Sequence, residues 1–508
     1  MLLFFTIAYL LINVVVGVWA SSKVKNTADF ALAGRNLSVM VAGVSIFATW
    51  FGSETIMSSS GEFAKGGILA VIKEPFGPAL CLLLIGLFFA RPLYRLNIVT
   101  FSDYFRLRFG RTAELVSALF LAYSYISWIA GQFKAMGNIM YTMTADYGTT
   151  TISVNNGIWM GAIIIALYTC VGGMWAVSYT DFIQTIVILA GLMILTFSLL
   201  YAAGGFAPLY EKQPEGYFHV VPVAGTTYEN PQLSNWWVYI AAWITIGLGS
   251  IPQQDVFQRT MSTRSESSAA RASYLAAGMY VTIAMFPLFI GMAGKTLYPE
   301  LFGTGAETEG FLLNVLKTHS GEWLQILFYG ALTSAIMSTA SGAILAPATI
   351  ITENLIRPLF PKMTDKRMLM TLRLAVLGIT VWAVAEALSG QSIYDLNAVS
   401  ATITLVSLLV PLAFGVYWKR MSTVGAMGSM LAGFVAWLIA DNMIDDKAPD
   451  VIPSLFFGFG ASVLAAVVLS LIFPNKMPEP QPMPLHAGGD LPKEQDELGS
   501  TDAAKING

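Results

Sequence analysis

Long apolar runs separated by short polar segments repeat along the whole chain. Runs of about 18 residues or more are long enough to cross the hydrocarbon layer of a bilayer. They predict helices, because a helix satisfies its own backbone groups in lipid. We predict about thirteen transmembrane helices, close to residues 1–20, 36–61, 67–90, 112–141, 156–177, 180–203, 234–256, 269–298, 321–352, 367–388, 392–418, 425–441 and 452–474.

Composition agrees with a single polytopic bundle. The chain has 508 residues, of which 55% are hydrophobic and 12% charged, whereas a soluble domain carries about 25% charged residues. We predict one all-α transporter domain over residues 1–474 and a disordered cytoplasmic tail over 475–508, where large apolar residues are scarce. The first run has no basic segment before it, which indicates a retained helix rather than a cleaved signal peptide.

Lysine and arginine are distributed unequally between alternate loops. One set of loops holds Lys23, Lys25, Arg35, Arg91, Arg95, Arg106, Arg108, Arg111, Arg259, Arg264, Arg271, Arg357, Lys362, Lys366, Arg367, Lys419 and Arg420. The other set holds Lys65, Lys212, Lys295, Lys317 and Lys447. The positive-inside rule places the first set in the cytoplasm, the N-terminus outside and the C-terminus inside. Short loops without targeting signals favour a bacterial inner membrane.

Several functional classes lack support in the sequence. The sequence contains no phosphate-binding GxxxxGK[ST] motif, so ATP-driven transport has no support. It also contains no basic tract that would indicate nucleic-acid binding. His219, His319 and His486 fall outside the predicted spans, and no cluster of titratable residues is typical of an enzyme. Cys81 and Cys170 lie in apolar runs and are interpreted as small buried residues.

Two predicted spans are interrupted by small and polar residues. They are the second, at 41–55, and the seventh, at 246–255, which contains Pro252. They occupy matching places if residues 36–203 and 234–418 form two halves of the protein. Interrupted helices in matching places indicate a transporter binding site; the alternative is close packing of ordinary helices through small residues.

The ninth span is unusually rich in hydroxyl groups. Ser334, Ser338 and Ser341 recur at spacings of four and three, which places them on one face of a helix. Hydroxyls and freed backbone carbonyls are hard, neutral oxygen ligands that suit Na⁺ better than a transition metal. The alternative is hydrogen bonding between neighbouring helices.

Charged residues inside the spans require a reason, because charges are costly in lipid. Asp181 is interpreted as either a helix cap or part of an ion path. Lys73 and Glu74 are adjacent and cannot point the same way, so we expect one to face the pocket. Glu54 and Lys134 are candidates for an internal ion pair.

Trp50 and Trp128 fall in or near the middle of their spans, beside broken or polar segments. Most membrane-protein tryptophans lie in belts at the lipid interface. Their depth instead favours a place in the substrate pocket.

Five segments together resemble the sodium/solute symporter family, and most closely its high-affinity choline transporter branch. They are Phe-Ala-Thr-Trp (47–50), Gly-Leu-Phe-Phe-Ala-Arg-Pro (86–92), Tyr-Thr-Cys-Val-Gly-Gly-Met-Trp-Ala-Val-Ser-Tyr-Thr-Asp (168–181), Gly-Ser-Ile-Pro-Gln-Gln-Asp-Val-Phe-Gln-Arg (249–259) and Ala-Ile-Met-Ser-Thr-Ala-Ser (335–341). The resemblance implies a LeuT-like fold of two inverted five-helix repeats with flanking helices. It also implies alternating access coupled to Na⁺.

The resemblance further implies particular ligands. The main Na⁺ site would take carbonyls of Ala48, Phe51 and Ala335 and hydroxyls of Ser338 and Thr339. Some members have a second Na⁺ site that matches Asp181 and serines that follow the hydroxyl pair. Ser341 is present here, but the next residue is Gly342, so one ligand of that second site is missing.

The substrate pocket implied by the resemblance is lined by Trp50, Thr55, Lys73, Glu74, Trp128, Gln253 and Asn397. In the choline branch, the substrate pocket resembles a cage of tryptophans, whose faces attract a quaternary ammonium. This chain keeps two of those tryptophans and has Gln253 and Asn397 in the other places. We therefore expect a solute with hydrogen-bonding groups, such as an amino acid, a betaine-like zwitterion or an organic acid, rather than choline itself.

The sequence thus predicts a Na⁺-coupled symporter that imports a small polar organic solute. A membrane sensor on the same fold and a proton-coupled symporter are the alternatives. The expected partners are the solute and the lipid bilayer, with no nucleic acid, and the expected state is a monomer or weak oligomer.

Overall fold

The computed structural model describes residues 35–474 and residue 482, apart from residues 146–150, 229, 303–308, 361, 447 and 449; the side chains of 168, 171–180 and 365 are also not described. The first predicted helix and all but one residue of the predicted tail lie outside this part of the chain. Regular structure in the described residues is helical, as the all-α prediction requires.

Sixteen helices organise the described residues, numbered here in chain order. They are α1 Val39–Trp50, α2 Glu54–Ala70, α3 Ile72–Tyr94, α4 Phe101–Phe109, α5 Arg111–Thr144, α6 Val154–Ala202, α7 Phe206–Glu211, α8 Trp236–Gly249, α9 Gln254–Met261, α10 Glu266–Leu297, α11 Phe311–His319, α12 Glu322–Leu359, α13 Asp365–Ala387, α14 Ile393–Tyr417, α15 Thr423–Met443 and α16 Ser454–Ile472.

Nine helical segments within the described residues are long and apolar enough to cross a membrane. A tenth span results if α1 and α2, which are bent by 62° at their junction, count as one. Ten of the predicted spans overlap these segments, with ends that differ by up to nine residues. The spans predicted over 156–177 and 234–256 correspond to shorter apolar helices in the described residues, Val154–Leu167 and Trp236–Gly249. Sequence patterns missed the short helix α4, which begins at a capping box formed by Thr100 and Asp103.

Helix α6 is long, with 49 residues, and contacts near its two ends show where those ends lie in the bundle. Near its start, the backbone N–H of Ile152 donates to Thr144 Oγ1 at the end of α5. Near its end, Ser198 contacts His319, just before α12. Asn354, near the end of α12, contacts Glu114 at the start of α5. The start of α12 therefore lies at the same end of the bundle as the end of α5. Because one end of α6 is next to the end of α5 and the other is next to the start of α12, both ends of α6 lie at that end. These contacts agree with the two antiparallel spans predicted over 156–203.

The two ends of the bundle differ in charge. The arginine-rich end includes Arg35, Arg95, Arg108, Arg111 and Arg264, which bind neighbouring backbone or acidic groups there. The opposite end contains a cavity of about 690 Å³, called the vestibule below. Arg259, which was counted with the loops in the sequence, is instead fully buried.

The two interrupted helices enter the core from opposite ends. Helix α1 starts at the arginine-rich end, where the Leu37 backbone N–H donates to Ser262 O at 3.0 Å. Helix α8 starts near the vestibule, where Asn235 Nδ2 donates to Val451 O at 2.8 Å. Their breaks meet inside the protein, where Trp50 Nε1 donates to Asp255 Oδ2 at 2.8 Å. This arrangement agrees with the predicted inverted halves.

Small residues allow the helices to approach closely, and Gly291 gives a test. A Cβ on Gly291 would lie 2.0 Å from the carbonyl oxygen of Ser60 in α2, whereas a Cβ on Gly278 of the same helix would meet nothing within 4 Å. We expect Gly291→Ala to destabilise the protein by about 1–3 kcal/mol through overpacking. Gly278→Ala is the control, expected to be neutral or stabilising by up to about 1 kcal/mol. Equal melting temperatures of the two purified variants would contradict this packing.

Candidate functional site

The break between α1 and α2 begins at Phe51, whose backbone leaves the helical region at φ −79° and ψ 61°. The backbone N–H of Gly52 then donates to Trp50 O at 2.9 Å, which tightens the turn. A break at this depth frees backbone carbonyls from the helical ladder, and such groups persist in a membrane protein where they line a cavity. The sequence Trp-Phe-Gly-Ser therefore creates a polar place inside an apolar span.

A small cavity lies beside this break. Ala48, Phe51 and Ala335, three of the predicted Na⁺ ligands, line it together with Asp181 and Thr185. Its volume is about 10 Å³, which is room for about one water-sized particle. The cavity is therefore large enough for one water-sized particle, and Asp181, Gln184 and Thr185 are its polar lining residues.

The two predicted hydroxyl ligands lie next to this cavity. Thr339 Oγ1 donates to Ala48 O at 3.2 Å and so joins α12 to the last turn of α1. Ser338 Oγ donates to Asp181 Oδ1, and Ser45 Oγ donates to Asp181 Oδ2 at 2.6 Å. The structure thus brings all five predicted residues of the main Na⁺ site together, with Asp181 at their edge.

Glu54 is buried directly after the break, with 1% of its surface exposed. Trp128 Nε1 donates to its Oε1 at 2.9 Å, and Gln132 Nε2 donates to its Oε2 at 2.8 Å. Ser53 Oγ also donates to Oε2, at 3.0 Å. All of these donors are neutral, so the described contacts leave the charge of Glu54 without a cationic partner.

A second buried carboxylate, Asp255, lies at the start of α9. Besides Trp50, it accepts a hydrogen bond from the hydroxyl of Tyr125, which in turn accepts from the Asp255 backbone N–H at 2.9 Å. The two tryptophans that the sequence places in the pocket are thus each held through the indole N–H by a carboxylate, Trp50 by Asp255 and Trp128 by Glu54.

Lys73 and Glu74 point in different directions, as their adjacency predicted. Glu74 is buried and accepts a hydrogen bond from Thr55 Oγ1, which also donates to Trp50 O at 3.0 Å. Lys73 lines the vestibule instead, with its ammonium 4.9 Å from the ring centre of Tyr394. Glu74 and Thr55 therefore join the buried residues described above, and Lys73 lies in the vestibule. The set is called the buried group below and consists of Trp50, Glu54, Thr55, Glu74, Tyr125, Trp128, Gln132 and Asp255.

The predicted ion pair between Glu54 and Lys134 is wrong. Lys134 Nζ lies 3.4 Å from Glu309 Oε2 and also donates to the carbonyl of Gln391. Glu309 accepts from the backbone N–H of Ile393, so the pair ties the start of α14 to α5. Burial raises the pKa of the Glu309 carboxyl, and the charge of Lys134 opposes this rise. Protonation of Glu309 would remove the ion pair, so this tie weakens as pH falls.

The remaining predicted residues are Gln253, Ser341 and Asn397, and the described side-chain hydrogen bonds do not join them to the buried group. Within the described residues, the lining of the vestibule includes Asp395 and Ala398 of α14 but not Asn397 between them, because successive helical residues face different directions. Gln253 is buried at the start of α9 and does not line the vestibule. Ser341 is buried on α12 and is not among the described hydrogen-bonding partners of Asp181.

The arginine-rich end is closed by polar contacts beneath the site. Gln254 Oε1 accepts from the backbone N–H of Phe101 at 2.7 Å, and its Nε2 donates to Val99 O at 3.0 Å. Asn354 of α12 donates to both Asp103 and Glu114, at 3.0 and 2.8 Å. In the part of the chain that the structure describes, these contacts join α4, α5, α9 and α12 at the arginine-rich end, and the vestibule lies at the other end.

Sequence reasoning missed Asp255, Tyr125 and Gln132 as members of the buried group. Asp255 had a signal that could have found it, since it is a carboxylate in the first turn of a half-helix at the broken span. Tyr125 and Gln132 had none, because their roles depend on which face of α5 meets the breaks.

Two helices broken in the core, a small cavity beside the first break and a large vestibule are typical of a membrane transporter. The comparisons with known proteins specify the family. A model described as "SSF: Sodium:solute symporter family" matches residues 30–433, and the chain belongs to this family.

Curated relatives agree with this assignment, and two solved structures share the fold. The human high affinity choline transporter 1 is 28% identical over 451 residues, covering 84% of this chain and 74% of the relative. The Bacillus subtilis high-affinity proline transporter PutP is 24% identical over 485 residues, covering 90% and 95%. A substrate-bound, outward-open Na⁺-coupled sialic acid symporter superposes with a TM-score of 0.77 at 20% identity, covering 94% of this chain and 99% of the other. The nucleobase-cation-symport-1 family transporter Mhp1 superposes with a TM-score of 0.59 at 15% identity, covering 90% and 98%.

Proposed function

We propose that this protein imports a small organic solute carrying a positively charged nitrogen, and that Na⁺ entry drives the import. The observation that carries the proposal is the pair Glu54 and Glu74, both 1% exposed and both bonded only to neutral donors among the described contacts. Buried charges are costly unless they are paired. A cationic group on the solute would supply the missing partner.

The names of the relatives support the same class of solute. The choline transporters are named for a quaternary ammonium, and PutP is named for proline, a zwitterion with a charged nitrogen. The buried carboxylates argue against a purely anionic acid, which was one of the three classes expected from the sequence. An amino acid or a betaine-like zwitterion remains in the proposal, and an organic cation is added to it.

The route to the buried group also suits such a solute. Ser58 lies one turn beyond Glu54 and lines the vestibule with a buried hydroxyl that has no hydrogen-bonding partner among the described residues. The ring of Tyr394 in the vestibule is occupied by the ammonium of Lys73, 4.9 Å from the ring centre. A cationic solute would thus meet the hydroxyl of Ser58, a hydrogen-bond acceptor, before it reaches Glu54.

Na⁺ would be held by Ala48, Phe51, Ala335, Ser338 and Thr339, because backbone carbonyls and hydroxyls are the oxygen donors that a hard cation prefers. Na⁺ at this place would fix the last turn of α1 against α12. That would favour the arrangement of the break that binds the solute, and by reciprocity the solute would favour Na⁺ binding.

The positive-inside rule supports a direction for transport. The arginine-rich end would be cytoplasmic and the vestibule would open to the outside of a bacterial inner membrane, with the N-terminus outside and the C-terminus inside. Each cation that moves inward would then gain about 2.3 kcal/mol per 100 mV of membrane potential. Sodium would therefore drive accumulation of the solute in the cell.

A thermal-shift screen tests the proposal. Purified protein is heated with choline, glycine betaine, proline, other amino acids or simple carboxylates, in either Na⁺ or K⁺ medium. A ligand at about a hundred times its Kd stabilises the protein by about 2.7 kcal/mol. We expect stabilisation by a compound with a charged nitrogen, and in Na⁺ only. Stabilisation only by simple carboxylates would contradict the proposed class of solute. Equal stabilisation in Na⁺ and K⁺ would contradict Na⁺ as the coupling ion.

Uptake into proteoliposomes separates the alternatives. A sensor would bind the compound without accumulating it, and a proton-coupled symporter would accumulate it under a pH gradient without Na⁺. We expect accumulation that requires an inward Na⁺ gradient.

A further inference from the structure

Three cations lie on the exposed side of helix α13, within its first three turns. Lys366, Arg367 and Arg373 are all exposed, in a helix that is long and apolar enough to span the membrane. The large exposed residues that follow them on the helix are apolar: Leu374, Leu377, Val381 and Trp382. Helix α13 begins shortly after α12 ends, and Asn354 places the end of α12 at the arginine-rich end. The cations therefore lie at that end, on a side of the helix that otherwise suits lipid.

Arg373 lies deep for a charged residue on this side of a spanning helix. A helix rises about 1.5 Å per residue, so Arg373 is about 10 Å farther along the helix axis than Lys366. Its Nε donates to the backbone carbonyl of Cys170 in α6 at 3.3 Å, which holds the guanidinium beside α6. A charge that faces hydrocarbon is costly. An anionic partner at this depth would therefore stabilise the protein.

The described residues do not supply that partner. The bond to Cys170 uses one of the three guanidinium nitrogens of Arg373 and a neutral acceptor. In this part of the chain, the side chains of Lys366 and Arg367 form no ion pair with a described residue. Residues 357–373 contain five cations and one acidic residue, namely Arg357, Lys362, Lys366, Arg367 and Arg373 against Asp365. The segment thus carries an excess of positive charge.

Apolar side chains lie between and beyond these cations. Met370 is 55% exposed, and residues three or four apart are neighbours on a helix surface, so it lies between Lys366 and Arg373. Leu374 and Leu377 are exposed on the next turn. Cations at the start of an exposed apolar stripe match the two parts of a phospholipid, an anionic headgroup and its acyl chains.

We propose that this side of α13, formed by Lys366, Met370, Arg373 and Leu377, is a docking site for an anionic phospholipid. Arg373 and Lys366 bind the headgroup phosphate, because a guanidinium matches the geometry of phosphate oxygens and an ammonium attracts them as a point charge. Met370 and Leu377 contact an acyl chain. The bound lipid stabilises α13 against α6. The site is separate from the buried group and does not depend on which solute or ion is transported.

Thermal unfolding of the purified protein in detergent tests this proposal. Phosphatidylglycerol, phosphatidylcholine or inorganic phosphate is added over the same range of concentrations. We expect phosphatidylglycerol to stabilise the wild type most, because the headgroup of phosphatidylcholine carries its own cation. Each basic residue near an anionic lipid surface contributes about a fivefold change in affinity. Arg373→Gln should therefore need about five times more phosphatidylglycerol for half-maximal stabilisation, and Arg373→Lys should resemble the wild type.

Arg271→Gln is the matched control. Arg271 is an exposed cation in the second turn of α10, whose first residue, Glu266, pairs with Arg95 at the same end of the bundle. Its removal changes the net charge as much as Arg373→Gln does, and we expect the phosphatidylglycerol requirement of the wild type. An equal increase in both variants would overturn the proposal, because it would indicate diffuse attraction to the whole basic end.

Two further results would contradict a lipid site. Equal stabilisation by phosphatidylglycerol and phosphatidylcholine would show that the charge of the lipid is not recognised. Equal stabilisation by inorganic phosphate would show a site for a free anion. If Arg373→Gln does not fold, Lys366→Gln is measured in its place. We expect about a fivefold increase in its phosphatidylglycerol requirement as well, and an unchanged requirement would overturn the proposal.

Discussion

Thr339→Ala is expected to raise the Na⁺ concentration for half-maximal stabilisation by ten- to a hundredfold. The hydroxyl of Thr339 reaches Ala48 O at 3.2 Å beside the small cavity, and it is one of five proposed Na⁺ ligands. Hydrogen bonds to charged groups are worth about 1.5–3 kcal/mol, and a comparable loss of ion binding corresponds to one to two powers of ten. The melting temperature of the purified variant, titrated with NaCl at constant ionic strength, gives this concentration directly.

Thr333→Ala is a matched control for this experiment. Thr333 is buried in the same helix, and its hydroxyl has no hydrogen-bonding partner among the described residues. Its removal should leave the Na⁺ titration unchanged. Equal Na⁺ requirements for the two variants would remove Thr339 from the site. Ser338→Ala is expected to raise the requirement as well, since its hydroxyl also orients Asp181.

Glu54→Gln is expected to reduce uptake at least a hundredfold while the Na⁺ titration stays as in the wild type. Opposite charges about 4 Å apart attract by about 4 kcal/mol at the effective dielectric constant of a protein site, which is close to a thousandfold in affinity. The amide keeps the shape of the side chain but presents an NH₂ group to one of the donors Trp128 and Gln132. We expect that mismatch to lower the free energy of unfolding by about 1–3 kcal/mol.

Uptake of labelled choline, glycine betaine and proline into proteoliposomes, using whichever the thermal screen identifies, measures the effect. Glu62→Gln is the control, because Glu62 follows Glu54 on α2 and lines the vestibule instead of the buried group. Its loss should change uptake only slightly. Unchanged uptake by Glu54→Gln would show that the solute does not use this carboxylate.

Much of the fold was predictable because membrane insertion constrains sequence strongly. The apolar runs gave the spans, and Gly and Pro in two of them gave both breaks, at Phe51 and before Gln254. The hydroxyls of α12 were recognisable for the same local reason, since their helical spacing places them on one face. These features depend on residues near one another in the chain.

The pairing of charges was not predictable in this way. Lys134 joins Glu309 and not Glu54, although the sequence offers no reason to prefer a partner 175 residues away to one 80 residues away. Asp255 escaped notice because its partners, Trp50 and Tyr125, come from two other helices. Asn397 was placed in the pocket by resemblance alone. Successive residues of a helix face different directions, so the sequence does not show which side chains of α14 face the vestibule.

The vestibule has a volume of about 690 Å³, and the buried carboxylates Glu54 and Glu74 are not among its lining residues. A compound that joins a small cationic head to a bulky tail would place its head near Glu54 and leave its tail in the vestibule. The walls around Lys134 and Glu309 could not then close over it. Under the proposed mechanism, such a compound would inhibit transport and would not itself be transported. The vestibule would thus limit the length of the solutes that the protein carries.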